Sequence, residues 1–259
     1  MQWIALYKTL RGGEWIQASL NSIYKHMDAI VIVHSNVLWG RGNYMNNCVL
    51  EVFTWRKTHA ELMLYEFLGP FYNQDSQYEM GYNWIKRQFG NCYVLLIDAD
   101  EIWEERDILK LKEGIQQRGA PAYSCRMRTY IKSPFYRIDP PEICEPIVVI
   151  DTGKVPFING PRGANIYPRA LLQNVYMHHF TYVRANFEDI KVKFYTSSHG
   201  DNAPSHEDWF DRVWPRIPDT EDFHPSIGHE KSWHSIKKIG KKELPAAIQD
   251  HPLVLKNEK

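Results

Sequence analysis

The chain has 259 residues, 44% hydrophobic and 24% charged, and its 31 Lys and Arg balance 31 Asp and Glu to a formal net charge of zero. A chain of this length can bury a substantial core, and the composition belongs to ordinary globular proteins, which excludes disordered and membrane-embedded classes. Zero net charge excludes a uniformly basic coat for nucleic acid but leaves room for a local basic patch.

The start, Gln2-Trp3-Ile4-Ala5-Leu6, lacks the basic segment and long apolar run of a signal peptide, and no later stretch is apolar enough to span a bilayer. Cys48, Cys92, Cys125 and Cys144 are widely spaced and form no metal or redox motif, so they read as reduced thiols. The expectation is a soluble, cytoplasmic protein. Nine Trp and fifteen Tyr exceed what a core of this size needs, and such rings commonly line sugar or base sites.

Trp3 to Leu6 reads as a first strand, after which Gly12-Gly13 opens a helix carrying Ile16, Leu20, Ile23 and Met27 on one face. Ala29 to Val33 is a second strand, continuously apolar and so covered on both sides. A polar loop from His34 to Asn47 leads to a helix ending near Trp55, and Glu61 to Tyr65 reads as a third strand. A helix from Gln77 to Gln88 precedes the clearest strand, Tyr93 to Ile97, and another helix runs from Asp107 to Arg118.

Beyond it the sequence becomes Pro-rich, aromatic and irregular, with strand-like pieces at Tyr123 to Tyr130, Ile147 to Ile150 and Val175 to Phe180. From Ser197 onward periodicity fades. The pattern predicts an α/β fold whose mixed, mostly parallel sheet is flanked by helices, followed by an irregular acceptor region. Residues 1–200 are expected to form one domain, with a nucleotide-binding half over 1–115 and an acceptor half over 116–200, and 201–259 to pack on it as an extension.

The sharpest feature is Asp98-Ala99-Asp100-Glu101 at the carboxyl end of a buried strand, where open α/β sheets place their ligands. Two aspartates one residue apart repel unless a cation lies between them or one takes a proton. A hard divalent ion suits such oxygen ligands and bridges to diphosphate oxygens. The alternative is that these acids only cap the following helix.

The segment from Leu95 to Trp103, with the Gly-opened helix and the strand ending at His34, resembles the family-two-like glycosyltransferases of GT-A fold over residues 2 to 115. The resemblance implies a Rossmann-like GT-A sheet, a nucleotide-sugar donor with UDP favoured, and Mn²⁺ or Mg²⁺ held by Asp98 and Asp100 against the donor phosphates. Asp100 and Glu101 are then candidates for the catalytic centre. His178 to Arg184 is similar to a segment in which a histidine completes the metal site, which implies His179, with His178 as the alternative.

Family members usually carry an acidic residue and Gly-Ser where this chain has His34-Ser35-Asn36. His34 and Asn36, with Tyr7 and Lys8, are candidates to contact base or ribose. Arg184, Lys191, Lys193 and His199 are candidates to neutralise charge on a departing nucleoside diphosphate. Glu142, Glu145 and Asp201 are the available bases.

The acceptor is left among glycans, small molecules, proteins and DNA carrying a hydroxymethylated base. Trp233, His234, Lys237, Lys238, Lys241 and Lys242 form the basic and aromatic mixture that such DNA would require. Two further readings are a nucleotidyltransferase, whose basic Gly-rich loop Lys8 to Gly13 partly imitates, and a non-catalytic nucleotide-sugar or nucleic-acid binding module.

Overall fold

Gln2–Thr9 forms β1, mostly apolar and buried beyond Gln2, paired on either side with parallel strands and covered by helices on its two faces. In chain order follow α1 (Gly13–Ile23), β2 (Ala29–Ser35), β3 (Val37–Leu38), β4 (Gly42–Asn43), α2 (Cys48–Arg56), β5 (Met63–Gly69) and α3 (Gln74–Phe89). Then come β6 (Cys92–Asp98), β7 (Glu101–Trp103), α4 (Glu105–Arg118), β8 (Ala122–Ile131), β9 (Tyr136–Asp139), β10 (Ile147–Asp151) and β11 (Arg169–Tyr182). The chain ends with α5 (Phe187–Thr196), α6 (His206–Arg212), β12 (Ser235–Lys238) and α7 (Pro252–Asn257). The computed structural model describes residues 1–38, 42–43, 46–196, 206–226 and 229–258.

The chain divides into two units, Met1–Arg126 with Glu145–Met177, and Met127–Cys144 with His178–Lys259. The chain crosses between units inside β8 and β11, so the boundary follows strand pairing, which composition does not reveal.

In the first unit the strands run β10-β6-β1-β2-β5. β6, β1, β2 and β5 are parallel, and β10 is antiparallel to β6, giving the expected mixed, mostly parallel sheet. Side chains alternate between faces. Ile4, Leu6, Val31, Val33, Val94 and Leu96 therefore pack with Tyr78, Tyr82 and Ile85 of α3. Tyr7, one residue out of phase, reaches α1 instead, where its hydroxyl meets Ser19 Oγ at 3.0 Å.

α3 approaches the sheet closely because residue 81 is glycine: a Cβ there would lie 2.3 Å from Leu6 Cδ1 and 3.0 Å from Val33 Cγ2. Gly81→Ala is expected to destabilise the fold by about 1–3 kcal/mol through overpacking, despite alanine's better helix propensity. Urea unfolding checks this, and a stabilised variant would contradict it. α1 starts after Gly12, whose φ of 110° suits glycine, and Gly13 N donates to Asn47 Oδ1 at 3.1 Å.

Several boundaries differ from the sequence reading. Met27 follows a 3-10 turn at Tyr24–His26 rather than continuing α1, and the third strand begins at Met63, because its pairing with β2 sets its register. Asp98 and Asp100 do not cap the next helix, since β7 intervenes and Glu104 occupies the N-cap of α4.

The second unit is built on aromatic packing. Ile131, Ile138, Tyr182, Phe194, Trp209, Phe210, Trp214, Phe223 and Trp233 share one core, and β12 pairs antiparallel with β9. Residues beyond 201 therefore belong to a core that also uses β8, β9 and β11.

Candidate active site

Lys8 and Asp98 are register partners at the carboxyl ends of adjacent parallel strands, in phase with the side chains that face α3. Lys8 Nζ donates to Asp98 Oδ2 at 3.1 Å and to Gln74 Oε1 at 3.3 Å. The Tyr78 hydroxyl, from the same helix as Gln74, donates to Asp98 Oδ1 at 2.6 Å. Both carboxylate oxygens of Asp98 are thus engaged from one side of the sheet.

Arg162 supplies the second cation. Its Nη1 bonds Glu101 Oε1, its Nη2 donates to Glu101 Oε2 at 2.9 Å and to Leu96 O at 2.7 Å, and its Nε donates to Ile147 O at 3.2 Å. Nη1 also stands 3.7 Å from Asp98 Oδ2. Glu101 Oε2 accepts from Asp98 N at 2.9 Å, which closes the turn that carries Asp100. Asp100 is 2% exposed in that turn.

Burial raises the pKa of a carboxyl, yet Asp98 is held below its ordinary value because Lys8 and Arg162 outweigh desolvation. Burial also opposes the charge on Arg162, and Glu101, Tyr78 and Asp98 overcome it, raising that pKa well above its ordinary value. Glu101 therefore fastens Arg162 and shapes the turn. Arg162 is the residue the sequence reading missed. It is separated from Glu101 by 61 residues, and Gly160 and Gly163 beside it, both at positive φ, were the local signs of a built turn.

The other expected contacts resolve differently. Tyr7 is fully buried and is a core residue, because strand alternation sends it away from the Lys8 face. His34 is 2% exposed, with Nδ1 2.7 Å from Thr9 Oγ1 and Nε2 3.3 Å from Glu66 Oε1. Asn46 Nδ2 donates to the same Thr9 Oγ1 at 3.2 Å. His34 thus ties β1, β2 and β5 together. Asn36 is exposed beyond β2, with its N donating to Gly69 O at 3.1 Å.

Asp98 and Asp100 are hard oxygen donors suited to Mg²⁺ or Mn²⁺. Among the described residues, no three His, Cys, Asp or Glu side chains are grouped to hold a metal. The positive charges at Asp98 are the Lys8 ammonium at 3.1 Å and Arg162 Nη1 at 3.7 Å.

His178, His179, Arg184 and Lys193 belong to the second unit. His178 is buried with Nδ1 2.8 Å from the Tyr130 hydroxyl, and His179 is half-buried. Arg184 Nε donates to Thr181 O at 2.9 Å. Lys193 is half-buried on α5, and Lys191 pairs with Glu188 at 3.4 Å. His199 and Asp201 lie outside the described residues.

Burial raises the Glu142 pKa, opposed by Thr129, His179 and Trp233. A carboxyl raised in the fold contributes stability that is present at low pH and lost as pH rises through its folded value. Glu142→Gln is therefore expected to melt higher than the wild type at pH 8, with the gap closing near pH 4. Equal melting at pH 8 would contradict this.

Trp233 is 1% exposed, so it offers no open face for base stacking. Around it Lys237 pairs with Glu243 at 4.0 Å, Lys238 with Asp219 at 3.6 Å and Lys241 with Glu258 at 3.3 Å. The tail's basic and aromatic mixture is thus divided between a buried ring and compensated surface charges. The Lys8 to Gly13 loop also departs from a phosphate cradle, because Gly13 N is turned to Asn47.

Fold and site together define an open, mostly parallel α/β unit with a charged cluster at the carboxyl edge of its sheet. No protein-family model matches the chain, and no curated protein matches it. Among solved structures, S. aureus TarS 1–349 in complex with UDP is similar at 14% identity over 83% of this chain and 73% of that one, with a TM-score of 0.49. Glucosyl-3-phosphoglycerate synthase from Mycobacterium tuberculosis, with Mn²⁺, UDP and phosphoglyceric acid, is similar at 11% identity over 49% and 43%, with a TM-score of 0.36. Likeness at this level leaves function to be argued from the chain's own residues.

Proposed function

We propose that the chain is a GT-A glycosyltransferase that moves a sugar from a nucleotide-sugar, UDP-sugars first among the candidates, to an acceptor hydroxyl. The observation that carries this reading is the pairing of Lys8 with Asp98 across two parallel strand ends, beside Asp100 and Arg162. Open α/β sheets bind phosphate-bearing ligands at that edge.

The diphosphate gains charge as the sugar leaves and needs a cation beside it. Lys8 contributes a rotatable ammonium, while Arg162 anchors the acidic turn. A divalent ion, Mn²⁺ or Mg²⁺, enters this proposal through Asp100 and Asp98, and when bound it would neutralise the leaving diphosphate.

No helix among the described residues is long and apolar enough to cross a membrane. The four cysteines are free thiols, in keeping with the reducing, cytoplasmic location that belongs to the same proposal. The acceptor remains the open choice among a glycan, a small molecule and hydroxymethylated DNA.

Product analysis tests the reaction class. Incubation with UDP-sugars and a panel of acceptors is expected to release nucleoside diphosphate. Release of pyrophosphate from a nucleoside triphosphate and a sugar phosphate would replace this reading with nucleotidyl transfer.

A further inference from the structure

β5 ends the strand order of the first unit: β2 pairs one of its edges, and among the described residues no strand pairs the other. Natural edge strands are guarded by lysine, proline or a bulge. β5, Met63-Leu64-Tyr65-Glu66-Phe67-Leu68-Gly69, carries none of these and runs in unbroken register with β2. Met63 is 46% exposed and Leu68 60%.

The backbone of this edge has a definite sense. Gly69 O accepts from Asn36 N, just past β2, and successive carbonyls of a strand point to opposite sides. Leu64, Glu66 and Leu68 therefore turn their N–H and C=O groups outward, as an antiparallel partner strand requires.

We infer that this edge is where a second copy of the chain docks, the two β5 strands pairing antiparallel about a twofold axis at Glu66. In that register Tyr65 lies opposite the partner's Phe67 and Leu64 opposite the partner's Leu68, both favourable cross-strand pairs. Glu66 meets its own copy. Each Glu66 brings Arg56, 56% exposed and 3.5 Å away, so the axis carries two acids and two guanidinium groups. A shift of two residues either way would set Glu66 against a leucine instead. Zero net charge removes long-range repulsion between copies.

The flanks continue the surface. On the α3 side Tyr65 and Phe67 gather around Trp84, with ring centres 4.6 and 5.2 Å away, and all three are half-buried. On the α2 side Phe53, one turn before Arg56, is 55% exposed. The exposed apolar area is on the order of several hundred Å² per copy, below the ~800 Å² that a standard interface takes from each partner. The pair is therefore weak, with a dissociation constant of about 10–100 µM.

Sedimentation velocity on wild type and Leu68→Lys, from tenfold below to tenfold above that constant, reads the association. The wild type is expected to pass from monomer to dimer, and Leu68→Lys to weaken the dimer at least about tenfold, because its ammonium loses water opposite the partner's Leu64. Amide hydrogen exchange followed by NMR at both ends of the range locates the surface. The Glu66 and Leu68 amides of the wild type should exchange about fivefold more slowly at the high concentration, while Tyr65 and Phe67, whose amides face β2, change little.

A thermal melt establishes that Leu68→Lys is folded, and if it is not, the exchange pattern of the wild type decides alone. A wild type that stays monomeric throughout, a dimer that folded Leu68→Lys leaves intact, or a dimer whose Glu66 and Leu68 amides exchange as fast as in the monomer would each overturn the inference.

Discussion

Replacing Arg162 by alanine is expected to lower folding stability by about 3–5 kcal/mol, because it leaves a buried carboxylate without its partner. Glu101 is 1% exposed and the Arg162 side chain 13%, so water cannot take over the lost contacts. The same change strips Leu96 O and Ile147 O of their donor, and these carbonyls lie on the neighbouring strands β6 and β10. Arg162→Lys should fall between the two, since one ammonium cannot span two carboxylate oxygens and two carbonyls. The midpoint of urea unfolding reads all three proteins. A loss below about 1 kcal/mol for the alanine variant would mean that the pair behaves as a surface salt bridge.

The second large effect concerns chemistry rather than folding. Asp100→Asn keeps the shape of the turn and removes one negative charge at the sheet edge. Turnover is expected to drop by about 10²–10³, the range seen when a preorganised electrostatic group is lost, because the divalent ion proposed at Asp100 would be held less tightly against the leaving diphosphate. Glu101 cannot substitute, because Arg162 and Asp98 N occupy its oxygens. Initial rates of nucleoside diphosphate release measure the drop. Wild-type rates in the variant would remove Asp100 from the account.

The first unit was largely legible because its strands are long apolar runs and its helices have regular periods. The run from Tyr93 to Ile97 identified β6 and placed Asp98 and Asp100 at its end. Strand parity held a further clue: Tyr7 and Lys8 are adjacent and must face opposite sides of the sheet, so only one of them was able to reach Asp98. Register decides which, and Lys8 lies opposite Asp98.

The remainder depended on contacts far apart in sequence. Nothing in the spacing of Arg162 announces a bond to Glu101, because the partners meet only after β10 has folded against β6. His34 looked like a ligand contact because a histidine at a strand end is able to hydrogen-bond a base, yet Thr9 and Glu66 consume both ring nitrogens. The second unit defeated periodicity for another reason. Trp214, Phe223 and Trp233 reach their core from short turns and loops, whose side chains follow no fixed repeat.

The most direct test of the central claim is a calorimetric titration of UDP-, GDP-, CDP- and TDP-sugars into the wild type, with Mn²⁺ and with chelator, repeated with Asp100→Asn. The account predicts that one nucleotide-sugar binds, that Mn²⁺ tightens the binding, and that the variant loses the metal-dependent part. Absence of binding by every nucleotide-sugar in both conditions would contradict it.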